Sequence, residues 1–376
     1  MIEPFKKPFY ITQPLLPDMD EFNKMLKVIW ESKQLSNNGN MVKQLEKDLS
    51  AFLNAEYLSV FCNGTVALQL ACKILRLSGE VITTPFTFAA TTHSLFWNNL
   101  RPVFCDIEED TFNMNPDLIE SLITERTTAI LPVHVFGYPC NVEKIQKIAD
   151  KHGLKILYDA AHAFGVKVND TPISSYGDIS MFSFHATKIY HTIEGGGLVF
   201  KNPNFKERAD SLRNFGIRCI DEVTEPGTNG KLNEIQAAVG ILLLDKVKEE
   251  IEKRKVITNL YRDMLKDVPG ITTSKDLEGI THNYAYFVIK IDKDEFGLSR
   301  DEVFDKLIEY NVIARKYFSP LCSNFPCYKN YPSSSKQELR VANKIVGKVL
   351  SLPLHGRMTS GDVEKICDII KEIRNG

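Results

Sequence analysis

Tyr57-Leu58-Ser59-Val60-Phe61-Cys62-Asn63-Gly64-Thr65-Val66-Ala67-Leu68 holds one full period of this chain: a short apolar run, a polar glycine turn, then helical spacing. The run at 58–61 is strand-like, and apolar residues at helical intervals follow over 65–77. The same alternation repeats downstream. Residues 81–83 lead into 88–97, 103–106 into 116–123, and 129–133 into 142–151, and 155–159 adds a further strand. Strands alternating with helices predict an α/β fold whose sheet is largely parallel and covered on both faces.

Upstream, a proline-dotted basic arm precedes helical spacing at 20–32 and 41–53, with Ser36-Asn37-Asn38-Gly39-Asn40 as the turn between them. The arm is expected to pack on another part of an assembly. Downstream the rhythm changes: 179–184 and 197–200 read as two strands joined by a loop, with no helix between them. Residues 233–264 read as one long amphipathic helix ending at Val268-Pro269-Gly270. A smaller α+β unit follows, with a strand at 285–291, a helix at 300–310 and a last helix at 360–374 capped by Ser360. The expected division is 1–245, arm and large α/β domain, and 246–376, linking helix and small domain.

The 376 residues carry a net charge of −2 and are 43% hydrophobic, a composition suited to a globular chain of two or more domains. Without a basic block, nucleic acid is not the expected partner. No stretch reaches the roughly 20 apolar residues of a membrane span, and the first residues lack the apolar core of a signal peptide, so a cytoplasmic location is expected. The eight cysteines form no C-x-x-C pair and no framework spacing; they read as reduced packing thiols, with no metal site.

Chemistry gathers at the expected strand ends. Cys62-Asn63-Gly64-Thr65 is either an anion cradle at a helix N-terminus or an ordinary capped helix start. Asp159 closes an apolar strand at the sheet edge where ligands bind in open α/β folds. It reads as a partner for a pyridine nitrogen or as a helix cap. His162 reads as a ring contact or a hydrogen-bonded structural residue. Lys188 ends Ser183-Phe184-His185-Ala186-Thr187-Lys188 and precedes Glu194-Gly195-Gly196-Gly197, a setting in which an amine is partly desolvated and nucleophilic. A lysine, an aspartate and a Ser/Gly anion cradle together are what pyridoxal 5'-phosphate chemistry needs.

With these come Leu35-Ser36-Asn37-Asn38-Gly39, Thr84-Pro85-Phe86-Thr87-Phe88-Ala89-Ala90-Thr91, the 229–238 segment and Ser351-Leu352-Pro353-Leu354-His355. In this order they resemble the DegT/DnrJ/EryC1/StrS sugar aminotransferases, within the fold type I, aspartate-aminotransferase-like enzymes, over nearly the whole chain. The resemblance implies that Lys188 is the Schiff-base lysine and proton shuttle, and Asp159 the pyridinium partner. It implies that Phe88 stacks on the cofactor ring, that Gly64, Thr65 and Ser183 hold its phosphate, and that His162 contacts it. Asn229 would reach the neighbouring subunit's cofactor phosphate, so a homodimer with shared sites is implied. The chain departs from the family pattern at Asn63, usually Ser; at His162, frequently Gln; and at Lys231, commonly Arg.

Lysine rather than histidine at 188 favours transamination over dehydration. The string at 183–188, with Ala314-Arg315-Lys316-Tyr317-Phe318-Ser319-Pro320, is similar to enzymes that aminate C4 of a dTDP-linked 4-keto-6-deoxyglucose with L-glutamate. Candidate substrate contacts are His185, Arg315, Tyr317 and Phe318. Arg315 reads equally as an anion contact or a surface charge, and Tyr317 and Phe318 as pocket or core. The competing classes are an aminotransferase for a 3-keto, UDP-linked or cyclitol substrate, and a non-catalytic pyridoxal-phosphate-binding regulator.

Overall fold

The computed structural model describes residues 2–375. Its centre is a seven-stranded sheet in the spatial order Tyr57–Phe61, Gly196–Phe200, Ile179–Ser183, Lys155–Asp159, Thr127–Leu131, Glu80–Thr83, Arg101–Phe104. All strands run parallel except Gly196–Phe200, which is antiparallel to both neighbours. The sheet is buried on both sides, and alternate side chains divide between two cores, as a strand period of two requires. Leu58, Val60, Ile130, Ile156, Tyr158, Phe182 and Val199 enter one core with the helices Asn40–Leu53, Val142–His152 and Glu234–Leu244. Phe61, Ala129, Leu131, Leu157, Met181 and Leu198 enter the other with the helices Gly64–Ile74 and Pro203–Leu212.

A three-stranded antiparallel sheet, Ile271–Thr273, Phe287–Ile291 and Val349–Leu352, forms a third core with the helices Val247–Leu265, Arg300–Glu309 and Ser360–Asn375. The N-terminal arm joins this core: Phe9–Tyr10 pairs in parallel with Val312–Ile313, and Phe5 and Phe9 pack against it. The arm thus meets the C-terminal part of its own chain.

Three expectations differ. The last helix is capped not by Ser360, its first residue, but by Thr359, whose Oγ1 accepts the Asp362 N–H at 3.2 Å. The 233–264 stretch is two helices, Glu234–Leu244 and Val247–Leu265. Asn233 caps the first by accepting the Gln236 N–H. Its apolar residues sink into the large core, while the second turns to the C-terminal sheet. Residues 116–123 form two short 3₁₀ turns rather than an α-helix, with Ile119 alone between them fully buried.

Candidate active site

Parallel strands place their C-terminal ends at one edge, and there Phe61, Thr83, Asp159 and Ser183 lead into the loops of interest. The antiparallel strand starts at the same edge. Gly196 pairs with both Phe61 and Ser183, which brings the 62–65 turn beside the start of the lysine loop. The approach is close: a Cβ on Gly196 would lie 2.8 Å from the Asn63 carbonyl and the Gly64 Cα. The lysine loop itself is pinned underneath. Phe184 N donates to Gly195 O at 2.8 Å, Thr192 N to Phe184 O at 2.9 Å, and Lys188 N to His185 O at 2.8 Å. Phe184 and Tyr190 meet edge to face in the core, leaving 185–188 at the surface of a cleft.

The cleft, about 310 Å³, is lined by Gly64, Thr65, Phe88, Asp159, His162, Ser183, His185, Lys188, Tyr317 and Phe318. Ten candidate residues therefore converge from chain positions far apart. Asn229 and Arg315 are exposed and lie outside the lining; Asn229 bridges to Asn214 and Arg315 to Ser351 through the backbone. Tyr317 and Phe318 serve both alternatives, since they line the cleft and also pack into the core, Phe318 stacking on Phe136 and His162.

At the closed end, Asp159 is buried and accepts two hydrogen bonds, from Thr91 Oγ1 at 2.7 Å and from Ala161 N at 3.0 Å. Thr91 gives its one hydroxyl proton to Asp159, so in its 2.8 Å contact with Thr87 it is Thr87 that donates. Burial pushes the Asp159 carboxyl above its ordinary range, against the two hydrogen bonds and the Lys188 charge. Among the described residues no cation lies within 4.0 Å of it. Burial likewise pushes the Lys188 amine down, while Asp159 and Tyr317 pull it up. His162 is held well below its ordinary value by burial and by Lys188. Its Nδ1 accepts the Phe136 N–H at 3.2 Å.

The opposite end is polar. The helix Gly64–Ile74 begins there, capped by Asn63, whose Oδ1 accepts the Val66 N–H at 2.8 Å; the Gly64 and Thr65 N–H groups have no intrahelical partner and are flanked by the hydroxyls of Thr65 and Ser183. Gly64 faces Ser183 closely, a Cβ there lying 3.3 Å from the serine Cβ. Between the ends stands Phe88, 62% exposed at the start of the helix Ala89–Phe96. An acid with no paired cation, an exposed aromatic face and an anion-ready helix start fit the three parts of pyridoxal phosphate: ring nitrogen, ring and phosphate.

A match to the DegT/DnrJ/EryC1/StrS aminotransferase family covers residues 17–371. The chain belongs to this family. Its members are pyridoxal-phosphate-dependent aminotransferases acting on nucleotide sugars, and the chain is an enzyme of this kind. A curated relative, dTDP-4-amino-4,6-dideoxy-D-glucose transaminase of Escherichia coli, is 45% identical over 363 residues, 96% of this chain and 97% of the relative. Among solved structures, DesI in the presence of its TDP-sugar product superposes with a TM-score of 0.94 at 34% identity, covering 99% of this chain and 94% of that one. Helicobacter pylori PseC, an aminotransferase of pseudoaminic acid biosynthesis, gives 0.91 at 28% identity, covering 98% and 100%. Among the described residues, no helix is long and apolar enough to cross a membrane.

Sequence reasoning assigned no role to three residues of this family site. Thr91 and Thr87 lie in the quoted 84–91 run, and Thr91 sits three residues after Phe88, one helical turn, which was signal enough to find it. Tyr286, whose hydroxyl accepts from Lys188 Nζ at 3.2 Å, comes from 98 residues downstream, with no local signal.

Proposed function

We propose that this chain transfers the amino group of L-glutamate to C4 of a dTDP-linked 4-keto-6-deoxyglucose, giving the 4-amino-4,6-dideoxy sugar for surface polysaccharide such as O-antigen, in the cytoplasm. The observation that carries the reaction is the meeting of Lys188 and Asp159 in one cleft that also holds the Gly64 helix start. The Escherichia coli relative named dTDP-4-amino-4,6-dideoxy-D-glucose transaminase, matched over 97% of its length, supports the sugar.

When bound, pyridoxal phosphate supplies an aldehyde carbon for amines and a ring that takes up electrons. Each residue's part follows from its place. Gly64, Thr65 and Ser183 would hold the phosphate, and Phe88 and His162 would contact the ring. Asp159 would hold a proton on the ring nitrogen, compensating a positive charge in a desolvated place. Lys188 would hold the aldehyde group through its amine, and its free Nζ would take and return a proton. Its desolvated amine reaches the neutral form more readily than a surface lysine does. His185, Tyr317 and Phe318 face the sugar, and Arg315 reads the diphosphate of a longer substrate. Asn229 completes the phosphate site of a second subunit in a homodimer. The chain divides near residue 245, between the two helices that replace the expected single one.

The test is the visible spectrum of protein loaded with pyridoxal phosphate. Glutamate is expected to bleach the cofactor band, and dTDP-4-keto-6-deoxyglucose to restore it. A band bleached by glutamate but restored only by a UDP-linked or 3-keto sugar would move the substrate assignment. Lys188→Ala is expected to show neither the band nor turnover, and retained turnover would remove Lys188 from its role.

A further inference from the structure

Lys188 is touched at its amine by a side chain from the C-terminal part of the chain. Tyr286 immediately precedes the central strand of the three-stranded sheet, Phe287–Ile291, and its hydroxyl accepts from Lys188 Nζ at 3.2 Å. The amine is 5.8 Å from the Tyr286 ring centroid, so the hydroxyl, rather than the ring face, makes the close contact.

The tyrosine is fixed from several sides. Its ring lies 4.7 Å from that of His162, 5.5 Å from Phe136 and 5.9 Å from Tyr317. The backbone that delivers it is tied to the loop after Asp159. Buried Asn283 donates from Nδ2 to His162 O at 2.8 Å and to Phe164 O at 3.0 Å, and its Oδ1 accepts the Ala285 N–H. Tyr286 also stands between cavities. It lines the main cleft, a small space beside Ala161, Phe164 and Ile189, and another beside Ile11, Thr12 and Leu354. Without its ring these spaces would open behind the lysine.

We infer that Tyr286 is a positioning residue, which holds the free Lys188 amine by one N–H and so fixes where the remaining proton or lone pair points. A lysine side chain has several rotatable bonds, and a released amine that wanders gives up the near-attack geometry on which proton transfer depends. A hydrogen bond from an ammonium to a neutral oxygen is charge-assisted, so the hydroxyl favours the protonated amine. The other groups facing Lys188 are Asp159, Tyr317 and His162. His185, on the lysine's own loop, is occupied with Glu194 at 3.4 Å, and Arg254 acts on Tyr286 from the long helix. This inference rests on the reading of Lys188 given above.

The test uses cofactor-free protein and Tyr286→Phe, which keeps the ring and its packing. Both are treated with limiting acetic anhydride from neutral to alkaline pH. Peptide mass spectrometry follows acylation of Lys188 against the exposed Lys33. The wild-type Lys188 midpoint is expected below the ordinary lysine value of 10.5, and the variant's lower still, by on the order of half a pH unit. In loaded enzyme the kcat profile is expected to shift the same way, with KM for the sugar within about twofold. An unchanged or raised midpoint in a natively folded variant would overturn the inference. Should Tyr286→Phe fail to fold, 3-fluorotyrosine at 286, a weaker acceptor of the same shape, is expected to give a smaller shift in the same direction, and no shift would overturn it. If wild-type protein gives no cofactor band, it is the reading of Lys188 that fails, and the acylation midpoints still judge Tyr286.

Discussion

Asp159 shows how a single residue joins stability to chemistry. Burial holds its carboxyl above the ordinary 3.8, and hydrogen bonds from Thr91 and Ala161 with the Lys188 charge only partly offset this. Between 3.8 and the raised value, the folded cofactor-free chain keeps a proton that the unfolded chain has released. Stability therefore falls as pH rises through that window. Asp159→Asn removes this cost. Thermal melts of cofactor-free protein are expected to show the variant at least as stable as wild type above the window, the difference vanishing below 3.8. Turnover in the loaded variant is expected to fall about 10²–10³-fold, because the buried compensating charge is lost. A variant less stable at neutral pH would mean that the carboxylate contributes more to the fold than its burial costs. At this scale the sequence was informative wherever a residue ended a strand or stood in the turn or loop that follows one: Asp159 and Ser183 end strands, Gly64 and Lys188 follow them, and all four reach the cleft. It was silent on Tyr286, because a contact across 98 positions leaves no local pattern.

Elements were legible where punctuation marks them. The helix Arg300–Glu309 begins with a capping box at Ser299 and Glu302, and Val142–His152 ends at Gly153 in the left-handed region. The break after Leu244 carries neither glycine nor proline. Asp245 and Lys246 are compatible with a helix, so apolar periodicity ran straight through a turn imposed by packing on two different cores. The antiparallel strand Gly196–Phe200 is where element geometry sets site geometry. Gly196→Ala would press a methyl group against the Asn63 carbonyl and the Gly64 Cα, backbone atoms that cannot step aside. The expected result is at least about tenfold weaker binding of pyridoxal phosphate, roughly 1.4 kcal/mol, by equilibrium titration. Gly347→Ala, with nothing within 4 Å of the added carbon, should bind as wild type does. Equal affinity in both variants would show that the 62–65 turn tolerates displacement and does not cradle the phosphate.

The α/β class and the mostly parallel sheet were legible over the whole molecule because both signals are periodic, strand and helix repeating from 57 to 159. Assembly is not periodic, and the chain raises it through residues that its own cleft does not use. Asn229 is exposed and outside the lining, and Trp30 and Trp97 leave much of their surface uncovered. If Asn229 serves the other subunit's cofactor, each site needs Lys188 from one chain and Asn229 from its partner. Two variants, Lys188→Ala and Asn229→Asp, the latter placing a negative charge beside phosphate, are each expected to be inactive alone. In a mixed dimer, the site built on the intact lysine receives the intact asparagine, while the other site receives both defects. Equimolar mixing through a dissociated state makes about half the dimers mixed, each with one working site, so about a quarter of wild-type activity should return. If Asn229 instead served its own chain, every site in the mixed dimer would carry one defect and no activity would return. Activity measured before and after mixing separates the two arrangements, and sedimentation of the wild-type protein checks that a dimer is present to be mixed.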